Sequence, residues 1–254
     1  MKNLSQKVSV IIPAHNEEGR ITQALEETIR TFKEFNCPYE IIVIDDGSSD
    51  QTYEEALKLS HHHQQILVKK NWENYGKGRA VKKGCRYASG EYIVFLDADM
   101  DLHPGQLQTF MDIMRLDDAD VVIGSKRHPN SVLNYPLDRR LISTVYFWLI
   151  KLLFGLPIHD TQTGLKIFKA QVIRKVLPRI LVKQFAYDLE ILANAHRLGF
   201  KIAEAPVVLD SKRKLGRVGL RAIWQTTWDT LAVFYRMKIL RYYDRISDRR
   251  QNGA

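Results

Sequence analysis

Tyr92-Ile93-Val94-Phe95-Leu96-Asp97-Ala98-Asp99-Met100-Asp101 is an apolar run that ends in three alternating carboxylates. Its aromatic and β-branched residues read as a buried strand. A strand closing on Asp97, Asp99 and Asp101 delivers them to the carboxyl edge of a sheet, where open α/β sheets bind ligands. Carboxylates held this close repel one another, so the arrangement is costly unless a cation sits among them. Hard oxygen ligands suit Mg²⁺ or Mn²⁺, ions that keep room for substrate phosphates. The competing reading is a solvated acidic loop in which Asp101 starts a helix.

Two other strand ends repeat the pattern. Ile44-Asp45-Asp46-Gly47-Ser48-Ser49-Asp50 closes a second apolar run, with Gly47 for a tight turn and Ser49 or Asp50 to cap the next helix. A carboxylate there can accept from a nucleobase or ribose, and turn chemistry explains the residues equally well. Pro13-Ala14-His15-Asn16-Glu17-Glu18 follows a third run, and Glu17 and Glu18 are expected in the first turn of the next helix, where carboxylates are favoured. Asn74-Tyr75-Gly76-Lys77-Gly78-Arg79-Ala80 opens a helix with two glycines around a lysine. Backbone N–H groups and one ammonium can receive a diphosphate there, although the spacing is not that of a P-loop. His61-His62-His63 reads as a solvated helix end, because consecutive helical histidines point apart.

Strands expected at 8–12, 40–44, 65–68, 92–96 and 121–123 alternate with helical patterns such as Ile21, Ala24, Leu25, Thr28, Ile29 and Phe32. A second pattern, Leu107, Phe110, Met111 and Met114, follows the start signal His103-Pro104-Gly105. The fold class is therefore α/β, a Rossmann-like, mostly parallel central sheet flanked by helices, with amphipathic helices following toward the C-terminus. No repeat or low-complexity linker divides the chain. One domain is expected over 1–215, followed by a basic amphipathic helix and tail over 216–254.

With 254 residues, 45% hydrophobic and 26% charged, the chain can bury a full core, and disordered, collagenous and disulfide-built classes are excluded. Cys37 and Cys85 lie 48 positions apart in ordinary core stretches and suggest free thiols in a reducing compartment. The polar opening 1–7 and the strand-length run after it give no secretory signal, so a cytoplasmic location is expected. The net charge of +9 is uneven: 14 Lys and Arg face 20 Asp and Glu over 1–125, against 24 and 9 over 126–254. An acidic half suited to a metal thus adjoins a basic half that meets something anionic.

The basic half carries two amphipathic candidates. Residues 141–156 are almost continuously apolar, but 16 residues including Lys151 are too few and too polar for a span of about 20. A single long helix is expected over 219–245, with Leu220, Ile223, Trp224, Thr227, Leu231 and Phe234 on one side and Arg221, Arg236, Lys238, Arg241 and Arg245 elsewhere. Such a pattern fits either a helix in a membrane interface or one packed on the domain with a solvated basic face. The aromatic residues cluster with apolar ones rather than interleaving with the basic patch, so no nucleic acid is expected as a partner.

The sequence resembles the family 2 glycosyltransferases of the GT-A fold, in the branch that includes dolichol-phosphate mannose synthase and dolichyl-phosphate glucosyltransferase. The resemblance rests on the four segments above, in order, and on Val122-Ile123-Gly124-Ser125-Lys126-Arg127, Asp160-Thr161-Gln162-Thr163-Gly164-Leu165-Lys166 and Gln184-Phe185-Ala186-Tyr187-Asp188-Leu189-Glu190. It covers roughly residues 8–215. It implies that Pro13, Ala14, Glu17, Asp45 and Asp46 hold the nucleoside, that Asp97 and Asp99 orient the ribose and the metal, that Lys77 approaches the diphosphate, and that Gly76 and Ala98 also bind substrate. Asp97, Asp99 and Asp101 would serve the metal, Mg²⁺ or Mn²⁺. Lys126 stands where the family usually has arginine, so either Lys126 or Arg127 takes that role. Arg139, Arg140 and Lys214 would meet the lipid phosphate, Gln162 would also bind substrate, and Asp188 would face the acceptor.

The implied reaction is inverting transfer of a hexose, glucose or mannose, from UDP-glucose or GDP-mannose to a polyprenyl phosphate on the cytoplasmic face of a membrane. Asp99, Asp188, Lys77, Arg127 and Arg139 form the implied catalytic set. The chain would reach the lipid through its amphipathic helices or through a separate membrane subunit. One alternative is a soluble family 2 transferase that uses a hydroxyl acceptor and needs Asp188 as a base. Another is a protein of the same fold that binds a polyanion without turnover.

Overall fold

The computed structural model describes residues 4–133, 137–184, 186–209 and 220–244. Its elements run β1 (Val8–Ala14), α1 (Arg20–Phe35), β2 (Tyr39–Asp45), α2 (Thr52–His62), β3 (Ile66–Lys70), α3 (Lys77–Gly84), β4 (Tyr92–Phe95), α4 (Leu107–Leu116), β5 (Val121–Ser125), β6 (Val132–Leu133), α5 (Leu137–Phe154), β7 (Lys166–Lys169), α6 (Ala170–Val176), α7 (Tyr187–Arg197), β8 (Ile202–Pro206), β9 (Val208–Leu209) and α8 (Leu220–Phe234). A seven-stranded sheet takes the order β3-β2-β1-β4-β7-β5-β8, and β6 pairs with β9 beside it. Only β7 of the seven runs against the others. The carboxyl ends of β1, β2, β4 and β5 therefore share one edge.

Period-2 alternation divides the core into two layers. Val8, Val10 and Ile12 of β1 face the side covered by α1 and α4, with Phe32, Phe110 and Met111 fully buried there. Ile11, between them, faces Ala80 and Val81 of α3 and Leu189 and Leu192 of α7 on the other side. Such side chains contribute roughly 1.5–3 kcal/mol each when fully buried.

All five expected strands are present, each shifted by a residue or two at an end. Two strands of this sheet were not anticipated, the interior strand β7 and the edge strand β8. Helix α1 starts at Arg20 after Gly19, so Glu17 and Glu18 precede it instead of occupying its first turn. The apolar run 141–156 forms most of α5, and among the described residues no helix is long and apolar enough to cross a membrane.

The expected single helix over 219–245 is not continuous. Helix α8 ends at Phe234, a π-helical turn spans Tyr235–Ile239, and Arg241 takes a left-handed φ of 47°. The physical cause is Tyr243, which turns back into the core and is 2% exposed. Among the described side chains of α8, Thr230 and Val233 are buried, while Trp224 and Leu231 of the expected apolar side are exposed.

Candidate active site

A cleft of about 270 Å³ opens at the shared carboxyl edge, lined by Pro13, Ala14, His15, Glu17, Asp46, Asn74, Gly76, Lys77, Asp97, Ala98, Asp99 and Gln184. Strand register brings these loops together: Ala14 pairs with Asp45 across β1 and β2, and Ile11 pairs with Phe95 across β1 and β4. Residues separated by more than 80 positions thus share one wall.

Asp46 lines the cleft and also builds it. Its Oδ1 accepts from Asn71 Nδ2 (2.7 Å) and Tyr75 N (3.1 Å), and its Oδ2 accepts from Gly76 N (2.8 Å), so the carboxylate holds the 71–76 loop in place. Gly76 has φ of 95°, and a Cβ there would lie 2.5 Å from the Lys183 carbonyl oxygen, which makes glycine necessary on both counts. Asp45 stands behind the cleft wall, fully buried. Its Oδ1 accepts from Ser48 N at 3.4 Å, and its Oδ2 is buried without a hydrogen-bond partner. The N-cap of α2 is Gln51, not Ser49 or Asp50, and it makes no side-chain cap; Asp50, one residue earlier, accepts from Thr52 N at 3.0 Å.

The carboxylates after β4 divide into two environments. Asp97 Oδ1 lies 2.5 Å from Lys77 Nζ. Burial would raise the Asp97 carboxyl, but Lys77, Lys166 and Lys126 outweigh it and hold the pKa below the usual range. Burial likewise opposes the Lys77 ammonium, and Asp97, Asp188 and Asp99 overcome it and raise the pKa. Asp99 is pushed up to about 6, first by burial and then by the like charges of Asp97 and Asp101. The Asp101 amide donates to Asp99 Oδ1 at 3.2 Å. A Cβ on Gly164 would fall 2.3 Å from Asp97 Oδ2, so this glycine makes room for the carboxylate.

This donor set fits a hard divalent cation. Among the described residues no group of three or more His, Cys, Asp or Glu side chains could hold a metal ion by itself. Mg²⁺ and Mn²⁺ use one or two carboxylates and complete their shells with substrate oxygens. Asp99, crowded by negative charge, is the carboxylate such an ion would relieve, with Asp101 and the Lys77-bound Asp97 beside it.

Of the expected acceptor-side residues, Lys126, Arg127, Gln162 and Asp188 lie off the cleft lining. The Lys126 amide donates to Asp160 Oδ2 at 3.1 Å, and Lys126 Nζ lies 3.8 Å from the same oxygen. Arg127 packs its guanidinium on the Phe147 ring at 5.0 Å and donates to Thr144 Oγ1 at 3.0 Å, which turns it toward α5. Gln162 is exposed, its amide donating to Asp160 Oδ1 at 3.0 Å. Asp188 is 6% exposed and ion-paired with Lys166 at 2.7 Å; burial raises its pKa against the pull of Lys166 and Lys77. Arg139 and Arg140 are on α5, with side chains outside the described residues, and Lys214 lies outside them altogether.

Helices α5 and α8 meet through Tyr146 and Thr230, whose hydroxyls are 2.9 Å apart, and through the edge-to-face rings of Phe154 and Phe234. Their outer faces carry Val145, Trp148 and Leu152 and Trp224, Trp228 and Leu231, with the three tryptophans 63–70% exposed. Sequence reasoning gave no role to His15, Asn74 or Gln184, although all three lie within the quoted segments.

The sequence model described as "Glycosyl transferase family 2" matches residues 9–177. A dolichyl-phosphate beta-glucosyltransferase of Trichomonas vaginalis is 32% identical over 251 residues, which cover 94% of this chain and 76% of that protein. One from Dictyostelium discoideum is 33% identical over 215 residues, covering 79% and 65%. Among solved structures, glucosyl-3-phosphoglycerate synthase from Mycobacterium tuberculosis with Mn²⁺, UDP and phosphoglyceric acid superposes with a TM-score of 0.70. That likeness, at 20% identity over 90% of this chain and 78% of the other, establishes the GT-A fold.

Proposed function

This chain belongs to glycosyl transferase family 2, and from that premise we propose that it moves a glucosyl group from UDP-glucose to a dolichyl-type polyprenyl phosphate. The observation that carries the reading is the cleft at the strand ends, where Lys77 and the Asp97-Ala98-Asp99 segment meet the nucleoside-side loops of β1 and β2. The acceptor class follows that of the dolichyl-phosphate beta-glucosyltransferases of Trichomonas vaginalis and Dictyostelium discoideum. The uridine donor follows their sugar and the UDP of the structural neighbour.

In the proposed reaction an oxygen of the acceptor phosphate forms a bond to the anomeric carbon while the bond from that carbon to the diphosphate breaks. The electron pair leaves with UDP, and the anomeric configuration inverts. Pro13, Ala14 and Glu17 would hold the nucleoside, and Asp46 would keep the 71–76 loop against it; Asp45, expected to join them, is fully buried behind the wall and would only support it. Lys77 would offset the charge on the departing diphosphate. Asp99, with Asp97 and Asp101, would hold Mg²⁺ or Mn²⁺, which when bound supplies further charge neutralisation to the leaving group. A lipid phosphate is already anionic, so positioning and charge compensation suffice without a strong base. The burial of Asp188 against Lys166 supports this acceptor over a hydroxyl, which would need an available base.

Arg127, with Lys126, Arg139, Arg140, Gln162 and Lys214, would receive the acceptor phosphate on the α5 side. The apolar outer faces of α5 and α8 would rest on the cytoplasmic leaflet and bring the site to the lipid. The test supplies the purified protein with polyprenyl phosphate, Mg²⁺ or Mn²⁺, and labelled UDP-glucose or GDP-mannose, with and without chelator. Chelator-sensitive label entering the organic phase from UDP-glucose is expected. Label from GDP-mannose alone would replace the donor, and no label from either would overturn the reading.

A further inference from the structure

Tyr243 and Glu190 line no part of the cleft, yet they are 2% and 0% exposed. A carboxylate buried so completely is costly unless its oxygens are used. Glu190 uses both. Its Oε2 accepts from the backbone N–H groups of Leu181 (2.9 Å) and Val182 (2.8 Å), and its Oε1 accepts the Tyr243 hydroxyl at 2.5 Å. Arg236 reinforces the pair, with Nη2 3.8 Å from Glu190 Oε1 and Nε donating to Tyr243 Oη at 3.2 Å.

The backbone that Glu190 grips is gripped again from the other side. Lys82 Nζ donates to the Ile180 carbonyl at 2.7 Å, and Gly78 N donates to the Lys183 carbonyl at 2.9 Å. Gly76 lies against that same carbonyl, and the next residue, Gln184, lines the cleft. Residues 180–183 therefore form a strap fixed by Glu190 on one side and by the first turns of α3 on the other. Helix α3 begins with Lys77, whose ammonium sits on Asp97.

We propose that Tyr243 and Glu190 are positioning residues for the donor: through the strap they hold Gly76-Lys77-Gly78 where the diphosphate binds, so the segment after α8 completes the donor site. This rests on the proposed reading of that loop. The segment also leaves α8 directly, so the grip on the donor and the exposed tryptophan face belong to one stretch of chain.

The test uses the full chain and compares wild type with Tyr243→Phe and Glu190→Gln by amide hydrogen exchange and by equilibrium binding of UDP and of uridine with Mn²⁺. Tyr243→Phe should speed exchange at Gly78, Leu181 and Val182 with β1 unchanged, and should weaken UDP about tenfold while leaving uridine as in wild type. Glu190→Gln should do the same more strongly; if it does not fold, Tyr243→Phe decides alone. Wild-type binding of UDP with an unresponsive Tyr243→Phe, or with equal losses for UDP and uridine, would reduce the pair to a packing role and overturn the assignment. A wild-type chain that did not bind UDP would overturn the donor reading itself, and the positioning assignment with it.

Discussion

Glu40 and Asp99 occupy opposite edges of one sheet. At the amino-terminal edge, Glu40 accepts from Lys7 Nζ (2.8 Å), Ser9 Oγ (2.5 Å) and Ser89 N (2.7 Å). Burial opposes its charge, but these donors prevail and its pKa lies below the ordinary value. At the carboxyl edge Asp99 faces Asp97 and Asp101, and its pKa rises to about 6. One carboxylate is completed by donors of the fold; the other stands among like charges that a bound cation would offset. A strand-end acid in this sheet is therefore read by what surrounds it.

That contrast can be broken by substitution. Asp99→Asn should lower sugar transfer by about a thousandfold or more, since charge stabilisation at the leaving group is a large part of catalysis. It should not lower the thermal midpoint of the metal-free protein, because it removes a repulsion. A melt showing clear destabilisation would place Asp99 with Glu40 as a structural acid. Gly164→Ala, whose Cβ would fall 2.3 Å from Asp97 Oδ2, should displace that carboxylate and cost about a hundredfold in transfer, while UDP affinity measured by calorimetry separates donor binding from turnover.

Two further measurements sharpen the contrast away from the cleft. Replacing Trp224 and Trp228 together by alanine should reduce sedimentation with anionic liposomes by about tenfold and leave UDP affinity unchanged. Glu40→Gln should cost about 1–2 kcal/mol in denaturant unfolding with transfer intact. The sign with pH follows from the lowered Glu40 pKa: its contribution is present above the ordinary glutamate value and is lost as pH falls through the folded value. Glu40→Gln should flatten the acid limb of the stability curve accordingly.

Much of the donor edge was legible because its signals are local. A β-branched run followed by Asp or Pro-Ala at a strand end fixes both the element and its edge, and β1, β2 and β4 are placed that way. The central strand β7, Lys-Ile-Phe-Lys over Lys166–Lys169, gave no such signal. It is four residues long, and its buried Lys166 is tolerated because Asp188 pairs with it from α7, a partner that no short window contains. The break in the expected 219–245 helix has the same origin, since Tyr243 finds Glu190 across 53 positions. In the cleft, Gln184 and the clearance at Gly164 arise where distant loops cross, while Asp46 was legible as a site residue but not as the clamp of its neighbouring loop.

All four tryptophans of this chain, Trp72, Trp148, Trp224 and Trp228, stand exposed to water, and none belongs to the core. Its indole fluorescence therefore begins close to the emission of a solvated side chain and has little further to travel when the chain unfolds. Moving the α5 and α8 faces into an apolar medium would instead shift three of the four emitters to shorter wavelength. The molecule is nearly silent about its own denaturation and vocal about the surface it touches, so a blue shift on adding vesicles reports contact without any label.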